Sequence, residues 1–308
     1  MYKNLLFSLL IMAGMQLMSS CAGCSDSGKK SQGDEDALTL PDSLISDAPL
    51  RLSEEIMNEV IGNISSPVEM AGLFKNSGVD FTQRILNNPD NVSNYETSYQ
   101  RALNLGVYSA DLGYINTFDK NNIVVSYLLA VKNLADGIRV GQFFDFNALR
   151  RMASSSTNLD SLMEMSQTSF NKMDSYLREQ NRSNVSSLIV TGAWVEGMYI
   201  ASSIVRESGD KELSDRIAEQ KNVVNILEII LSNYASDAGF AELVQSVEDL
   251  KAAYAPVRIT TELGEPQRIE KDGSLIFIQA EVSTVHYTPE DLENIMATIE
   301  NIRAKIVN

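Results

Sequence analysis

Hydrophobic residues recur at helical spacing along most of the chain that follows residue 66. In the segment that opens near residue 94, Leu103, Val107 and Tyr114 fall on one face, because positions four and seven apart are neighbours on an α-helix. The same spacing recurs near 121–138, 146–154, 159–180, 184–207, 211–235 and 239–254. This pattern predicts a mainly α fold.

Three helix starts can be recognised from their capping residues. Ser66-Pro67-Val68-Glu69 and Ser93-Asn94-Tyr95-Glu96 match the capping box, in which Ser or Thr is followed three residues later by Glu or Gln. Thr288, followed by Pro289, starts a final helix that extends to about residue 306. The connections between the predicted helices are short, which favours antiparallel neighbours and therefore a helical bundle.

The region after Pro256 has a different pattern. Residues 257–261 are rich in β-forming residues, and the stretches 268–271 and 274–282 flank Asp272-Gly273, a strong signal for a tight turn. The sequence therefore predicts a small β-hairpin at about 257–286, inserted before the final helix.

Two of the predicted helices share a short motif. Asp111-Leu112-Gly113-Tyr114-Ile115 and Glu196-Gly197-Met198-Tyr199-Ile200 each place an acid three residues before Tyr-Ile. This likeness predicts two related four-helix units, at about 92–181 and 184–308, of which the second is interrupted by the hairpin. An accidental likeness between two apolar helices is the alternative.

The chain begins with the pattern of a secretory signal. Lys3 precedes an apolar run from Leu5 to Met18, which is shorter than the roughly 20 residues of a membrane-spanning helix. Ser19-Ser20-Cys21 follows, as at the end of a bacterial lipoprotein signal. We therefore expect residues 1–20 to be removed and Cys21 to carry a lipid. Simple secretion and a buried amino-terminal helix are the alternatives.

Residues 21–50 are polar, small and acidic, and they lack apolar periodicity. We interpret this segment as a flexible tether between the lipid and a folded helical domain at 51–308. The expected location is the cell outer membrane, with the membrane as one partner through the lipid anchor. The signal does not distinguish the periplasmic face from the cell surface.

Charge and residue content exclude several classes of function. The 308 residues include 41 acids but only 25 lysines and arginines, so nucleic acid is not an expected partner, because phosphate binding relies on clustered basic residues. Cys21 and Cys24 are the only cysteines and His286 is the only histidine, which leaves only an all-carboxylate metal site conceivable. Glycine-rich phosphate loops are absent. The sequence predicts no cofactor and no metal.

Two acids lie on faces that are otherwise apolar and aromatic. Asp111 shares a helix face with Val107 and Tyr114, and Glu196 shares one with Ile189 and Tyr199. A buried carboxylate is costly unless it is paired or neutral, so each acid needs a partner such as a tyrosine hydroxyl, an arginine, a helix amino terminus or a ligand. A structural role in a helix interface is favoured. A ligand-facing pair and acid–base catalysis are the alternatives.

The aromatic residues near these acids extend the candidate site. Tyrosine and tryptophan combine an apolar body with a polar end, so they suit a small-ligand pocket between the two helical units. Gly106, Gly113, Gly192 and Gly197 lie in the same two helices and predict that another helix approaches closely. Six residues form the candidate ligand-binding or buried polar set: Tyr108, Asp111, Tyr114, Trp194, Glu196 and Tyr199.

Both motif regions resemble a known group of proteins. The stretches 105–114 (LGVYSADLGY) and 192–199 (GAWVEGMY), with the close from Thr288 to the end Ile302-Arg303-Ala304-Lys305-Ile306, are similar to a family of mostly helical lipoproteins of Bacteroides-type bacteria. The likeness covers about 90–308. It implies a location in the cell envelope and no particular activity, because the function of that family is unknown.

The sequence therefore favours a non-enzymatic role. No nucleophile and base occur in a catalytic pattern, and we expect a lipid-anchored binding or scaffold module whose partner is a small molecule or an envelope protein. The alternative is a carboxylate-dependent enzyme that acts on an envelope glycan or similar polymer through Asp111 and Glu196.

Overall fold

The structure is a computed structural model that describes residues 67–153, 159–263, 267–271, 274–278 and 281–308. All of these belong to one of the two compact units of the chain, Ser46–Asn308. The predicted signal at residues 1–20, the lipidation site Cys21, the tether at 21–50 and the predicted cap at Ser66 lie outside the described residues.

The described part of the chain forms ten α-helices, which confirms the mainly α fold. Five of the helices predicted between 121 and 254 are observed with bounds that differ by at most two residues from those expected. The helices are α1 (Pro67–Asn76), α2 (Ser98–Thr117), α3 (Asn121–Gly137), α4 (Phe146–Ala153), α5 (Leu159–Glu179), α6 (Ser183–Ser208), α7 (Lys211–Ala218), α8 (Lys221–Ser232), α9 (Ala241–Tyr254) and α10 (Pro289–Val307).

One predicted helix, 211–235, is in fact two. α7 ends at Ala218 and α8 begins at Lys221, so the chain turns at Gln220. This turn points the Gln220 side chain into the core, where its amide oxygen accepts a 3.2 Å hydrogen bond from the indole N–H of Trp194. Apolar periodicity continues through the turn, which is why the sequence pattern did not locate it.

The start of α2 was also predicted wrongly. The expected capping box at Ser93–Glu96 does not form, because Pro89–Asn94 is a 3₁₀-helix. The capping box lies four residues later: Thr97 Oγ1 accepts from the Gln100 N–H at 3.1 Å, and Gln100 Oε1 accepts from the Thr97 N–H at 3.1 Å. At the other end of the fold, the predicted cap at Thr288 is confirmed, with Asp291 completing the box.

The core is organised around two long helices in close contact. α2 packs most extensively against α6, and α10 packs against both α6 and α9. A Cβ atom at Gly106 would overlap the Ile189 carbonyl oxygen, and one at Gly192 would overlap the Leu103 carbonyl oxygen, so only glycine permits this approach. Gly113 and Gly197 have open space beside them, so the close approach predicted for these two is wrong.

α6 is the one described helix that is long and apolar enough to cross a membrane by length and composition. In this fold, 78% of its most apolar window is buried inside the protein. The apolar composition of α6 therefore corresponds to its central position among the other helices. The predicted relation between two four-helix units, at about 92–181 and 184–308, stays a prediction.

The predicted hairpin is confirmed as an antiparallel β-ribbon before α10. Strand β1 (Arg258–Leu263) pairs with β4 (Glu281–His286), and β2 (Gln267–Lys271) pairs with β3 (Ser274–Ile278). The register places Arg258 opposite His286 and Lys271 opposite Ser274, so the two pairs are nested. The ribbon connects α9 to α10.

Candidate functional site

The two unusual acids converge. Asp111 on α2 and Glu196 on α6 are both 0% exposed, and their carboxyl groups lie close enough to influence each other's ionisation. The periodicity that placed each acid on an apolar face therefore brings both into the α2–α6 interface. Since neither carboxyl reaches solvent, each depends on protein partners alone.

The partner of Glu196 is Arg303, which α10 contributes. Its Nε and Nη2 atoms donate to the two carboxylate oxygens of Glu196 at 3.0 and 3.1 Å, a bidentate pairing. Nη2 also donates to the carbonyl oxygen of Ile85 at 3.2 Å, and the guanidinium lies over the ring of Tyr199, 4.4 Å from its centroid. The Arg303 side chain is 15% exposed, so this ion pair is shielded from water.

Asp111 has no such cation of its own. Its Oδ2 atom accepts a 3.2 Å hydrogen bond from the backbone N–H of Asn87, whereas Oδ1 receives no donor from the described residues. Two ionised carboxylates cannot hydrogen-bond each other, because both only accept. Two buried carboxylates side by side also repel each other, so the proximity of Asp111 and Glu196 favours one shared proton. We call Asp111, Glu196 and Arg303 the Asp–Glu–Arg cluster.

The surroundings place that proton on Asp111. Burial, and then the neighbouring Glu196, raise the pKa of Asp111 well above its ordinary value, while Arg303 and the Asn87 N–H oppose this less strongly. Burial also raises the pKa of Glu196, but the hydrogen bonds and charge of Arg303 offset part of this increase. Because Glu196 holds the guanidinium in a bidentate pair, Glu196 carries the charge and Asp111 is neutral.

A network of amide and phenol groups surrounds the cluster and holds the end of α10. Asn87 Nδ2 donates to the Tyr95 hydroxyl at 2.9 Å and to Asn104 Oδ1 at 3.3 Å. Tyr95 in turn donates to the Val307 carbonyl at 3.2 Å, and Asn104 Nδ2 donates to the Ile306 carbonyl at 2.9 Å. The last carbonyls of a helix have no partner within the helix, so these contacts satisfy them.

Two of the four aromatic candidates lie near the cluster. Tyr199 lies under Arg303, and Tyr108 is buried close to Asp111 with its hydroxyl donating to the Asn88 carbonyl at 2.7 Å. Tyr114 instead accepts a 3.3 Å hydrogen bond from the Thr82 N–H, and Trp194 is bonded to Gln220. Tyr114 and Trp194 thus have structural partners of their own.

An open cavity of about 580 Å³ lies on the outer side of this network. Its walls include the carboxylates of Asp90, Glu96 and Asp136. Tyr95 belongs both to this wall and to the network that holds α10, and the Arg101 guanidinium in the wall donates to the Tyr95 carbonyl at 2.9 Å. Asp111 and Glu196 do not line the cavity.

The described residues contain no group of three or more His, Cys, Asp or Glu side chains that could hold a metal ion. In the Asp–Glu–Arg cluster, the two carboxyl groups hold one proton and the guanidinium of Arg303. Because both carboxyls are fully buried, the contacts of the cluster serve to join α2, α6 and α10.

Sequence reasoning missed three residues of this site. Arg303 interrupts the apolar face of α10 formed by Met296, Ile299 and Ile306, and an isolated cation on such a face is a readable signal. Asn104 similarly interrupts the apolar run of α2. Asn87 lies in an irregular segment, where no periodicity could have indicated it.

Comparisons with known proteins do not assign this chain to a family. No protein-family model, no curated protein and no solved structure matches it. The resemblance to helical lipoproteins of Bacteroides-type bacteria therefore stays a prediction based on the two motif regions and the final helix.

Proposed function

We propose that the chain is a lipid-anchored protein of the cell outer membrane whose helical domain acts as a binding or scaffold module. The anchor is supported by the apolar run that ends at Ser19-Ser20-Cys21, followed by the polar segment at 21–50. The resemblance of 105–114 and 192–199 to helical lipoproteins agrees with this location.

The observation that carries the module part of the proposal is the burial of Asp111 and Glu196. These two acids lie on helix faces that are otherwise apolar and aromatic, and their described contacts are to Asn87, Arg303 and each other. Such contacts stabilise one arrangement of three helices. A fixed helical body on a tether suits a protein that presents a surface to a small molecule or an envelope protein.

The alternative is a carboxylate-dependent enzyme that acts on an envelope glycan or similar polymer through Asp111 and Glu196. Their shared proton favours it, because acid–base catalysis needs a carboxyl group that stays protonated near neutral pH. A catalytic acid must also come within hydrogen-bonding distance of its substrate. Both side chains are 0% exposed, so this alternative is the weaker one.

The anchor is tested by two single substitutions in the full-length chain. Cys21→Ala removes the proposed lipid acceptor, and Cys24→Ala is the matched control, because these are the two cysteines of the sequence. We expect the Cys21→Ala variant to leave the membrane fraction and to lose incorporation of a labelled fatty acid. The Cys24→Ala variant should retain both. Membrane association and labelling that persist in Cys21→Ala would contradict the anchor.

A further inference from the structure

The final helix is held to the rest of the fold at its carboxyl-terminal half by the buried polar groups. Arg303 pairs with Glu196, and the carbonyls of Ile306 and Val307 accept from Asn104 and Tyr95. α2 and α6 pack more extensively on each other than either of them packs on α10. It is therefore the element of the three that can separate with the least disturbance of the α2–α6 core.

The charge balance at this contact depends on a single proton. The titratable groups that face the carboxyl pair are Tyr108 on α2, Tyr127 on α3, Tyr199 on α6, Arg303 on α10 and Tyr95 from the segment before α2. Burial raises the pKa values of Tyr95, Tyr108 and Tyr127, so these phenols stay neutral. Arg303 balances one carboxylate, and no other cation among these groups balances a second.

We propose that Asp111 and Glu196 form a proton-operated latch for α10. With one proton between the two carboxyls, Arg303 stays paired with Glu196 and α10 stays docked on α2 and α6. When the proton leaves, two buried carboxylates face each other and only the guanidinium of Arg303 balances their charge. Separation of the carboxyl-terminal half of α10 then lets water reach both charges.

The direction of the pH effect follows from the pKa of Asp111. Because burial and Glu196 raise this pKa in the docked state, the docked state holds a proton that an opened state releases at lower pH. Docking is therefore favoured at mildly acidic pH. The opening equilibrium rises with pH between the ordinary and the raised pKa of Asp111, by about tenfold per pH unit for one proton, and then levels off.

Hydrogen exchange of α10 amides in the full-length chain measures this opening. The experiment compares the wild type with Asp111→Asn from pH 5.5 to 8.5, with each rate divided by its intrinsic value at that pH. Asparagine mimics neutral aspartic acid, since its amide donates to Glu196 while its oxygen accepts from Asn87. Glu248→Gln, which removes an exposed carboxylate of α9, is the matched control.

We expect the opening of α10 at residues 298–307 to rise about tenfold per pH unit in the wild type and in Glu248→Gln, and to stay constant in Asp111→Asn. The α2 and α6 amides should remain protected throughout. The proposal is overturned if Asp111→Asn has the same pH profile as the wild type. It is equally overturned if α2 and α6 lose protection together with α10.

A second measurement uses the wild-type chain alone and does not depend on the folding of any variant. At pH 6 the infrared spectrum should contain the carbonyl stretch of one protonated carboxylic acid, because ordinary carboxyl groups are ionised there. This band should persist over the pH interval in which the opening rises about tenfold per unit, because the docked state still holds the proton there. It should disappear where the opening levels off or where the opened state predominates. Absence of the band at pH 6, or its loss while the docked state predominates and the opening still rises with this slope, overturns the proposal.

Discussion

At the scale of single residues, two carboxyl groups with equal burial have different states because their neighbours differ. Glu196 faces the guanidinium of Arg303, and Asp111 faces the N–H of Asn87. The sequence indicated that both acids need partners, but it did not identify them. Arg303 lies 107 residues from Glu196, so only the packing of α10 on α6 brings the two together.

Substitution of Asp111 tests what this carboxyl does for the fold. Asp111→Asn keeps an acceptor for Asn87, whereas Asp111→Leu leaves that buried N–H without a partner. We expect Asp111→Leu to lose about 1–3 kcal/mol of unfolding free energy and Asp111→Asn to lose less. Denaturant unfolding followed by the fluorescence of Trp194, the single tryptophan, measures both. Stable, well-folded Asp111→Leu and Glu196→Leu variants would contradict the structural role.

At the scale of elements, periodicity predicted most helices and their buried faces, because the spacing of apolar residues within a helix can be seen in that helix's own sequence. Helix ends were less predictable. Ser93–Glu96 and Thr97–Gln100 both match the capping pattern. Only the second forms a capping box, because Ser93 lies in the 3₁₀-helix that starts at Pro89. The break at Gln220 is accompanied by a hydrogen bond from the distant Trp194, which the pattern along the chain does not indicate.

The four glycines of α2 and α6 give a test of helix approach. Gly106→Ala and Gly192→Ala place a methyl group against backbone of the facing helix, so we expect each to lose about 1–3 kcal/mol of unfolding free energy. Gly113→Ala and Gly197→Ala enter open space, so they should be neutral or add up to about 1 kcal/mol, because alanine favours helix. Thermal melts of the four variants check this. Equal losses in both pairs would contradict the assigned α2–α6 contact.

At the scale of the whole molecule, the carboxyl-terminal helix completes the centre of the fold. The buried Asp–Glu–Arg cluster joins α2, α6 and α10 through groups that are far apart in the chain. A buried ion pair is destabilising when one partner is removed, since the remaining charge lacks compensation. Removal of either Glu196 or Arg303 should therefore be costly, and removal of both should cost less than the two single changes added together.

A double-mutant cycle measures how strongly Glu196 and Arg303 depend on each other inside the fold. The unfolding free energies of the wild type, Glu196→Gln, Arg303→Met and the double variant are measured by denaturant titration. Each single change should cost about 3–5 kcal/mol, and the double change should cost less than the sum of the two by about 2 kcal/mol or more. Costs that add to within about 0.5 kcal/mol would show that Glu196 and Arg303 act independently, which contradicts a buried ion pair that joins α6 to α10.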